Sequence, residues 1–475
     1  MRAALHAARG RGRGVAAAAL LAPGLANASG FDGAQLAAWW GIPFAGMLLS
    51  IAILPLAWPS LWHRHFGKIA LAWSLAFVLP FAARFGAGAA GAGVVHTLLA
   101  EYLPFIILLT ALYTVSGGIY VRGNLHGSPA LNTGLMAIGA VLASFMGTTG
   151  AAMLMIRPLI RANDGRKNAA HVMVFFIFIV ANAAGSLTPL GDPPLFLGFL
   201  KGVQFFWTID HILPETLFLV GALLLLFFLI DHHRYRKDGA LLVDPTPDTR
   251  GFGLEGAINF VPLLAAIALV LMSGTWNPGI SVDVFGTELT VQQIVRDLGL
   301  IGVTVVSLAI TPVGVRKANE YSWGPMLEVG KLFIGIFVTM LPVLAMLQAG
   351  EAGAFAGVVR AVTGPDGQPM PWAYFWFSGA LSSFLDNAPT YLVFFNLAGG
   401  DPQTLMTTLA STLAAISAGS VFMGANTYIG NAPNFMVKAI AESRGIRMPS
   451  FLGYMVWSGC ILIPLFVLIT VIWFH

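Results

Sequence analysis

Two carboxylates stand where an apolar chain has no structural need of them. Asp386 lies in SSFLDNAPT (382–390) and Asp192 in GSLTPLGDPP (185–194), each within a long hydrophobic segment. An Asp at the middle of a spanning helix costs about 2.5–3.5 kcal/mol on insertion scales, so such an acid points to function by default. Asn387 and Thr390 follow the first acid and Thr188 precedes the second. Two further polar breaks interrupt apolar runs: GTTG with Thr148 and Thr149, and GANTYIGNAP with Asn426, Thr427 and Asn431. Gly and Pro end helices and free backbone carbonyls. Together with Thr and Asn oxygens these suit a hard cation such as sodium, while half-helix N-termini stabilise negative charge. A carboxylate balanced between desolvation and such partners can trade a proton for a metal ion. These ten residues form the candidate ion site, with Asp386 as main carrier, Asp192 second, and Asp386, Asn387 and Asp192 as sodium ligands. The other role open to either acid is that of N-cap, above all for Asp192 before the helix starting at Pro193.

The elements that must position these residues are membrane helices. Of 475 residues, 57% are hydrophobic and 10% charged, and the mean hydropathy is +0.79. A soluble domain carries about 25% charged residues, so a soluble globule, a disordered chain and a nucleic-acid binder are excluded. The single cysteine, Cys460, excludes a disulfide framework or thiolate metal cluster. About 20 apolar residues cross a bilayer, and crossings are expected near 41–58, 68–86, 100–118, 171–187, 214–231, 256–273, 298–312, 329–348, 404–423 and 451–474. Segments 131–161 and 372–398 are interrupted midway and too short for two crossings each, which reads as re-entrant hairpins. Arg2, Arg9, Arg11 and Arg13 before a short apolar stretch and Ala26-Asn27-Ala28 read as a signal peptide over 1–28.

Charge placement supports this layout. His63-Arg64-His65, Arg157 to Lys167, Arg234 to Lys237, Arg316-Lys317 and Lys438 to Arg447 fall on one side, whereas 88–98, 275–295 and 399–403 carry no Lys or Arg. The positive-inside rule makes the basic side cytoplasmic and both mature termini periplasmic. Arg157 is expected to snorkel to the inner interface, His171 to sit at that interface, and Glu101 and Glu215 to begin crossings at the outer face.

A repeat links the breaks. ASFMGTTGA (143–151) aligns with SSFLDNAPT, and GSLTPLGDPP with GANTYIGNAP, both at an offset of 239 residues. Gly147 falls opposite Asp386, and Asn431 opposite Asp192. The expected fold is an all-α polytopic membrane protein of two inverted repeats, with about ten crossing helices, two re-entrant hairpins and broken helices at the midplane. Repeat 1 spans 36–231 with hairpin 131–161, a cytoplasmic linker 232–254, and repeat 2 spans 255–475 with hairpin 372–398. Inverted repeats with broken helices are the architecture of secondary transporters. No G-x-x-x-x-G-K-[ST], H-E-x-x-H or G-x-S-x-G motif occurs, so an ATPase of its own and an intramembrane hydrolase are not expected, and no catalytic residue is assigned.

At these residues the chain resembles the ion transporter superfamily. The stretches GGIYVRGNLHGSPALNTGLMAIGAVLASFMGTTGAAMLMIRPLIRAN and SLTPLGDPPLFLGFLKGV are similar to the NhaD-type sodium/proton antiporters and their relatives, which include arsenite-pump membrane subunits. The resemblance implies that hairpin tips and broken helices hold ions while the other helices form a scaffold, often dimeric. The tips lack the Ser-Asn-Thr signature of the dicarboxylate and citrate branch, and an acid at the tip would repel a carboxylate. The expectation is a secondary antiporter in a bacterial-type inner membrane, exchanging sodium or lithium for protons. It would work as a homodimer among lipids, with no cofactor beyond the transported ion and no nucleic-acid partner. The alternatives are a sodium-coupled carboxylate carrier of citrate type and an arsenite permease.

Overall fold

A computed structural model describes residues 32–123, 125–238, 251 and 253–475. The expected signal peptide, 1–28, and most of the linker, 239–250, lie outside the described residues. The chain is a multi-pass helical membrane protein: ten of its described helices are long and apolar enough to cross a bilayer. The only strands among the described residues form two short antiparallel pairs, Tyr120–Arg122 with Gly253–Glu255 and Ser281–Val284 with Thr287–Thr290.

The first half contains α1 (Ile42–Ala57), α2 (Pro59–Phe85), α3 (Ala87–Thr97), α4 (Leu103–Ser116), α5 (Pro129–Met146), α6 (Thr148–Ala162), α7 (Ala170–Ile179), α8 (Pro193–Leu200) and α9 (Trp207–Asp238). The second contains α10 (Phe260–Thr275), α11 (Val291–Ile310), α12 (Val313–Ala318), α13 (Gly324–Gln348), α14 (Ala356–Ala361), α15 (Pro371–Phe384) and α16 (Asn387–Leu397). It closes with α17 (Pro402–Met406), α18 (Ala410–Phe422), α19 (Ala432–Ser443) and α20 (Phe451–Trp473).

The helix ends follow from local chemistry. Ser128 accepts the Leu131 N–H at 3.2 Å to cap α5, with Pro129 pre-set in its first turn. Gly147 ends α5 at φ +80°, a conformation a side chain resists, and α6 restarts at the next residue. In the second half α15 stops at Phe384 and α16 begins at Asn387, after an extended Leu385.

The ten long helices are not the ten crossings read from the sequence. Pro129–Met146 has the length to span on its own, whereas 404–423 is split. The split falls where α17 ends at Met406, Thr407 leaves helical geometry, and α18 restarts at Ala410. Hydropathy over 404–423 cannot register a break made of Thr and Leu.

Two packed bodies result. In the scaffold, α13 packs on α1, α2 and α3, and α4 packs on α10 and α11. In the hairpin body, α5 packs on α6 and α9, α15 on α16 and α18, α16 on α8, and α19 on α6 and α7. The bodies meet where α13 faces α16 and where α4 faces α6 and α8. Burial sorts the helices: 89% of the window containing α7 is buried, against 17% for α2, whose Leu71, Leu75 and Leu79 are exposed apolar surface. A helix apolar on all sides is buried in protein or in lipid, and α7 and α2 are the two cases.

At the basic end a fully buried polar cluster ties the hairpin body together. Asp231 of α9 accepts from Arg166 at 2.6 Å, from His171 at 2.8 Å and from Asn132 at 3.0 Å. Asn132 and Asn163 exchange side-chain hydrogen bonds at 2.8 and 2.9 Å. His171 is therefore a core residue, not the interfacial one expected, because Asp231, sixty residues on, supplies its partner. Removing one partner of a buried charge cluster costs about 3–5 kcal/mol. Asp231→Ala is expected to lower thermal stability in detergent by an amount of that order, whereas Glu288→Ala, at an exposed position of strand Thr287–Thr290, leaves it unchanged; a fluorescence melting curve of the two purified variants checks this.

Candidate functional site

The four polar breaks meet at Asp192. Its carboxylate is 2% exposed and accepts from three residues on three other segments. Thr148, first residue of α6, donates its hydroxyl at 2.7 Å. Asn387, first residue of α16, donates its side-chain amide to the other oxygen. Asn431, just before α19, donates at 3.3 Å. Thr148 and Asn387 are repeat mates at the offset of 239, and so are Asp192 and Asn431. The hub therefore lies where the two halves of the repeat touch, and its donors come in matched positions.

The supporting bonds repeat at the same offset. Ser144 Oγ donates to the Ala184 carbonyl at 2.9 Å, and Ser383 Oγ to the Met423 carbonyl at 3.1 Å. Thr188 donates to the Ser144 carbonyl and Thr427 to the Ser383 carbonyl. The Leu190 and Ile429 amides donate to those two threonines, each at 3.2 Å. Each threonine thus stitches a broken crossing to its hairpin arm, and its hydroxyl is used on backbone.

The remaining candidates separate by environment. Asp386 is half-buried, accepts the Ala388 N–H at 3.1 Å and so caps α16. Asp192 makes no cap bond to its own helix α8, so capping falls to the acid from which the sequence expected carriage, and the hub to the other. Thr149 lines the cavity described below. Thr390 donates to the Asp386 carbonyl at 3.0 Å, inside its own helix. Asn426 bonds Ser383 at 2.9 Å and lines a separate crevice with Ser458 and Met455.

The sequence reading missed two buried asparagines. Asn182 donates to Asn434 at 2.6 Å and receives Asn431 at 3.3 Å, while Asn434 secures the Gly424 and Thr427 carbonyls at 2.8 and 2.9 Å. An amide in the otherwise apolar run 171–184 was the available signal for Asn182.

Asp192, Asp386, Thr148, Thr149 and Asn431 line a cavity of about 100 Å³, walled by Leu112 and Phe333 of the scaffold and Phe196 of α8. Asp386 and Asn431 also face a second cavity of about 490 Å³ that leads between α13 and α19 to His63 and Glu328. Among the described residues, no lysine or arginine lines either cavity. The Asn387 Oδ1 is buried with no hydrogen-bond partner, an acceptor left beside the carboxylate it serves. Four helix N-termini, those of α6, α8, α16 and α19, point into the site, and their partial positive charges offset the two acids.

Residues 33–474 match the model of a family described as "Putative citrate transport". The chain belongs to this family. Comparison with curated proteins returned no match. Membership makes the chain a transporter of the ion and citrate type, and its ten long apolar helices agree with a multi-pass protein of that family.

The broken crossings depend on two bare backbones passing at close range. A Cβ on Gly191 would sit 2.3 Å from the Gly185 carbonyl oxygen, and one on Gly430 2.6 Å from that of Gly424. Gly191→Ala and Gly430→Ala are each expected to lower the melting temperature and the yield of folded protein. Gly221→Ala, in α9 with nothing within 4 Å, is neutral or gains up to about 1 kcal/mol; melting curves of the three variants decide.

Proposed function

We propose that this member of the citrate-transport family exchanges sodium or lithium for protons, with Asp192 as the shared carrier and Asp386 as the acid on the access side. The observation that carries the reading is the charge of the smaller cavity: two carboxylates, Asp192 and Asp386, and no Lys or Arg among the described residues that line it. A desolvated carboxylate needs a proton or a cation to neutralise it, and Asp192 has only neutral donors. Either ligand satisfies it, and one excludes the other, which is the requirement for exchange through one site. A tricarboxylate entering alone would meet two like charges with no basic partner.

Re-entry of the hairpins centred on Gly147 and Asp386, and alternating access by movement of the hairpin body against the scaffold, complete the proposal. The basic loops favour an inner membrane with the larger cavity open to the cytoplasm. Support for the paired arrangement comes from packing across the repeat: α6 packs on α19, and its mate α16 packs on α8, the mate of α19.

Family membership favours a second reading, a citrate-type carrier coupled to sodium. In that case cations must bind first, so that the site loses its negative charge before the carboxylate arrives. The four converging helix N-termini would then be available to the anion.

Proteoliposomes with an imposed pH gradient separate the two. In the antiporter reading, sodium or lithium collapses the gradient, Asp192→Asn reduces the response to that of protein-free vesicles, and Asp386→Asn slows it. Citrate has no effect. Sodium-dependent accumulation of labelled citrate, with no gradient collapse by sodium alone, sinks the antiporter reading and installs the carrier.

A further inference from the structure

Each of the four helices that starts at the site is tied to the scaffold at its far end. The tie for α6 and α19 is a single residue, Glu320, which accepts from Arg157 of α6 at 3.2 Å and from Arg444, the C-cap of α19, at 2.6 Å. For α8 it is Lys201, the C-cap, which meets Glu101 between α3 and α4 at 2.6 Å. For α16 it is Asn396 in the last turn, which accepts from Gln348 at the end of α13 at 2.7 Å. Two ties lie at each end of the body. Arg157, expected to snorkel to the interface, is instead 6% exposed and spans the two bodies.

The turn bearing Glu320 is built for the reach. Asn319 donates to the Gly117 and Ile119 carbonyls at 3.0 and 2.7 Å, and the Tyr321 hydroxyl meets that of Thr114 at 3.1 Å, so both neighbours are fastened to the end of α4. Glu320 itself holds φ +50°. A non-glycine residue stays in that region only where its surroundings fix it, and the Glu320 carboxylate pairs with both arginines. Burial alone would push the Glu320 carboxyl up, but hydrogen bonds and charge from Arg157, then Arg444, outweigh it and hold it below its ordinary value. The tie is therefore charged at neutral pH, and is lost only as the pH falls through that lowered value.

We propose that Glu320 and Glu101 are interbody clasps that hold α6, α19 and α8 in the conformer with the larger cavity open, and that Glu320 must release Arg157 and Arg444 for the hairpin body to move. The proposal rests on the alternating-access reading above but not on which ion is carried.

The test uses the full chain in nanodiscs with Cys460→Ser and a reporter, Ala439→Cys, in the wall of the larger cavity. Its rate of labelling by a membrane-impermeant maleimide measures the open population. Glu320→Gln removes the charge, and Glu320→Gly removes the side chain while suiting φ +50°; a change shared by both is due to the carboxylate. Both, and Glu101→Gln, are expected to lower the labelling rate roughly two- to fivefold, the scale an exposed ion pair can contribute. Arg157→Gln added to Glu320→Gln is expected to add less than it does alone, since the two share one interaction. Unchanged or faster labelling in both Glu320 variants overturns the proposal. Thermal stabilisation by sodium, measured on the same samples, reports on ion binding separately. A clasp effect without a sodium shift therefore rejects sodium as the ion and leaves the clasp standing, and a sodium shift without a clasp effect does the reverse.

Discussion

A carboxylate withdrawn from water must be met by donors or by a counter-charge, and the deeper it lies the fewer groups can reach it. Asp192, 2% exposed, is met by a hydroxyl and two side-chain amides from three other segments. An unbroken spanning helix could not provide this, because its polar backbone is consumed internally and its side chains project from one rod. The breaks at Gly147, Leu385, Thr188 and Thr427 bring four chain segments to one point. Each break then creates its own debt of unpaired backbone, which Ser144, Ser383, Thr188 and Thr427 discharge with hydrogen bonds to carbonyls and amides. Gly191 and Gly430 let the strands of each break pass closely enough for those bonds to form.

Duplication explains why the solution is built twice and charged once. The serine and threonine bonds recur in both halves at one offset, whereas the Asn182–Asn434 pair secures the second break alone. The residues that face the cavity have diverged: Asp192 against Asn431, Asp386 against Gly147, Asn387 against Thr148. Two aspartates in the 192 and 431 positions would lie side by side and repel in a desolvated site. With Asn at 431 the mate becomes a donor to the acid, and the contact between the halves is attractive.

Much of this was legible in the sequence because it rests on pattern. Hydropathy located nine of the ten long apolar helices, the 239-residue offset paired the breaks, and Gly, Pro, Asn and Thr marked where most helices stop. What the pattern could not convey is direction. Thr188 and Thr427 have the chemistry of ligands, yet their hydroxyls turn to backbone; Asp192 precedes two prolines as a cap would, yet points across the repeat, and Asp386 takes the cap. The tie from Arg157 to Glu320 joins residues 163 apart in sequence, and no local signal announces it. The break at Thr407 is equally silent, since nothing but dihedral geometry distinguishes Thr-Thr-Leu there from a continuing helix.

The hub belongs to the hairpin body and faces the scaffold across the smaller cavity, which bears on the exchange proposed above. The scaffold offers the cavity apolar walls, Leu112 and Phe333 among them, with no basic side chain to pair with a bare carboxylate. Sliding the hairpin body along such a wall with Asp192 ionised and unoccupied would carry an uncompensated charge through a low dielectric, at an effective cost of several kcal/mol even after relaxation. A proton or a monovalent cation removes that charge, and either allows passage. In the exchange proposed above, the wall that holds the empty site in place would couple the two movements: one ligand would ride outward for the other to ride inward. On this view tight coupling is a property of the apolar surface opposite the acid, and a basic residue introduced there, at Leu112 for instance, would neutralise the empty carboxylate and convert exchange into leak.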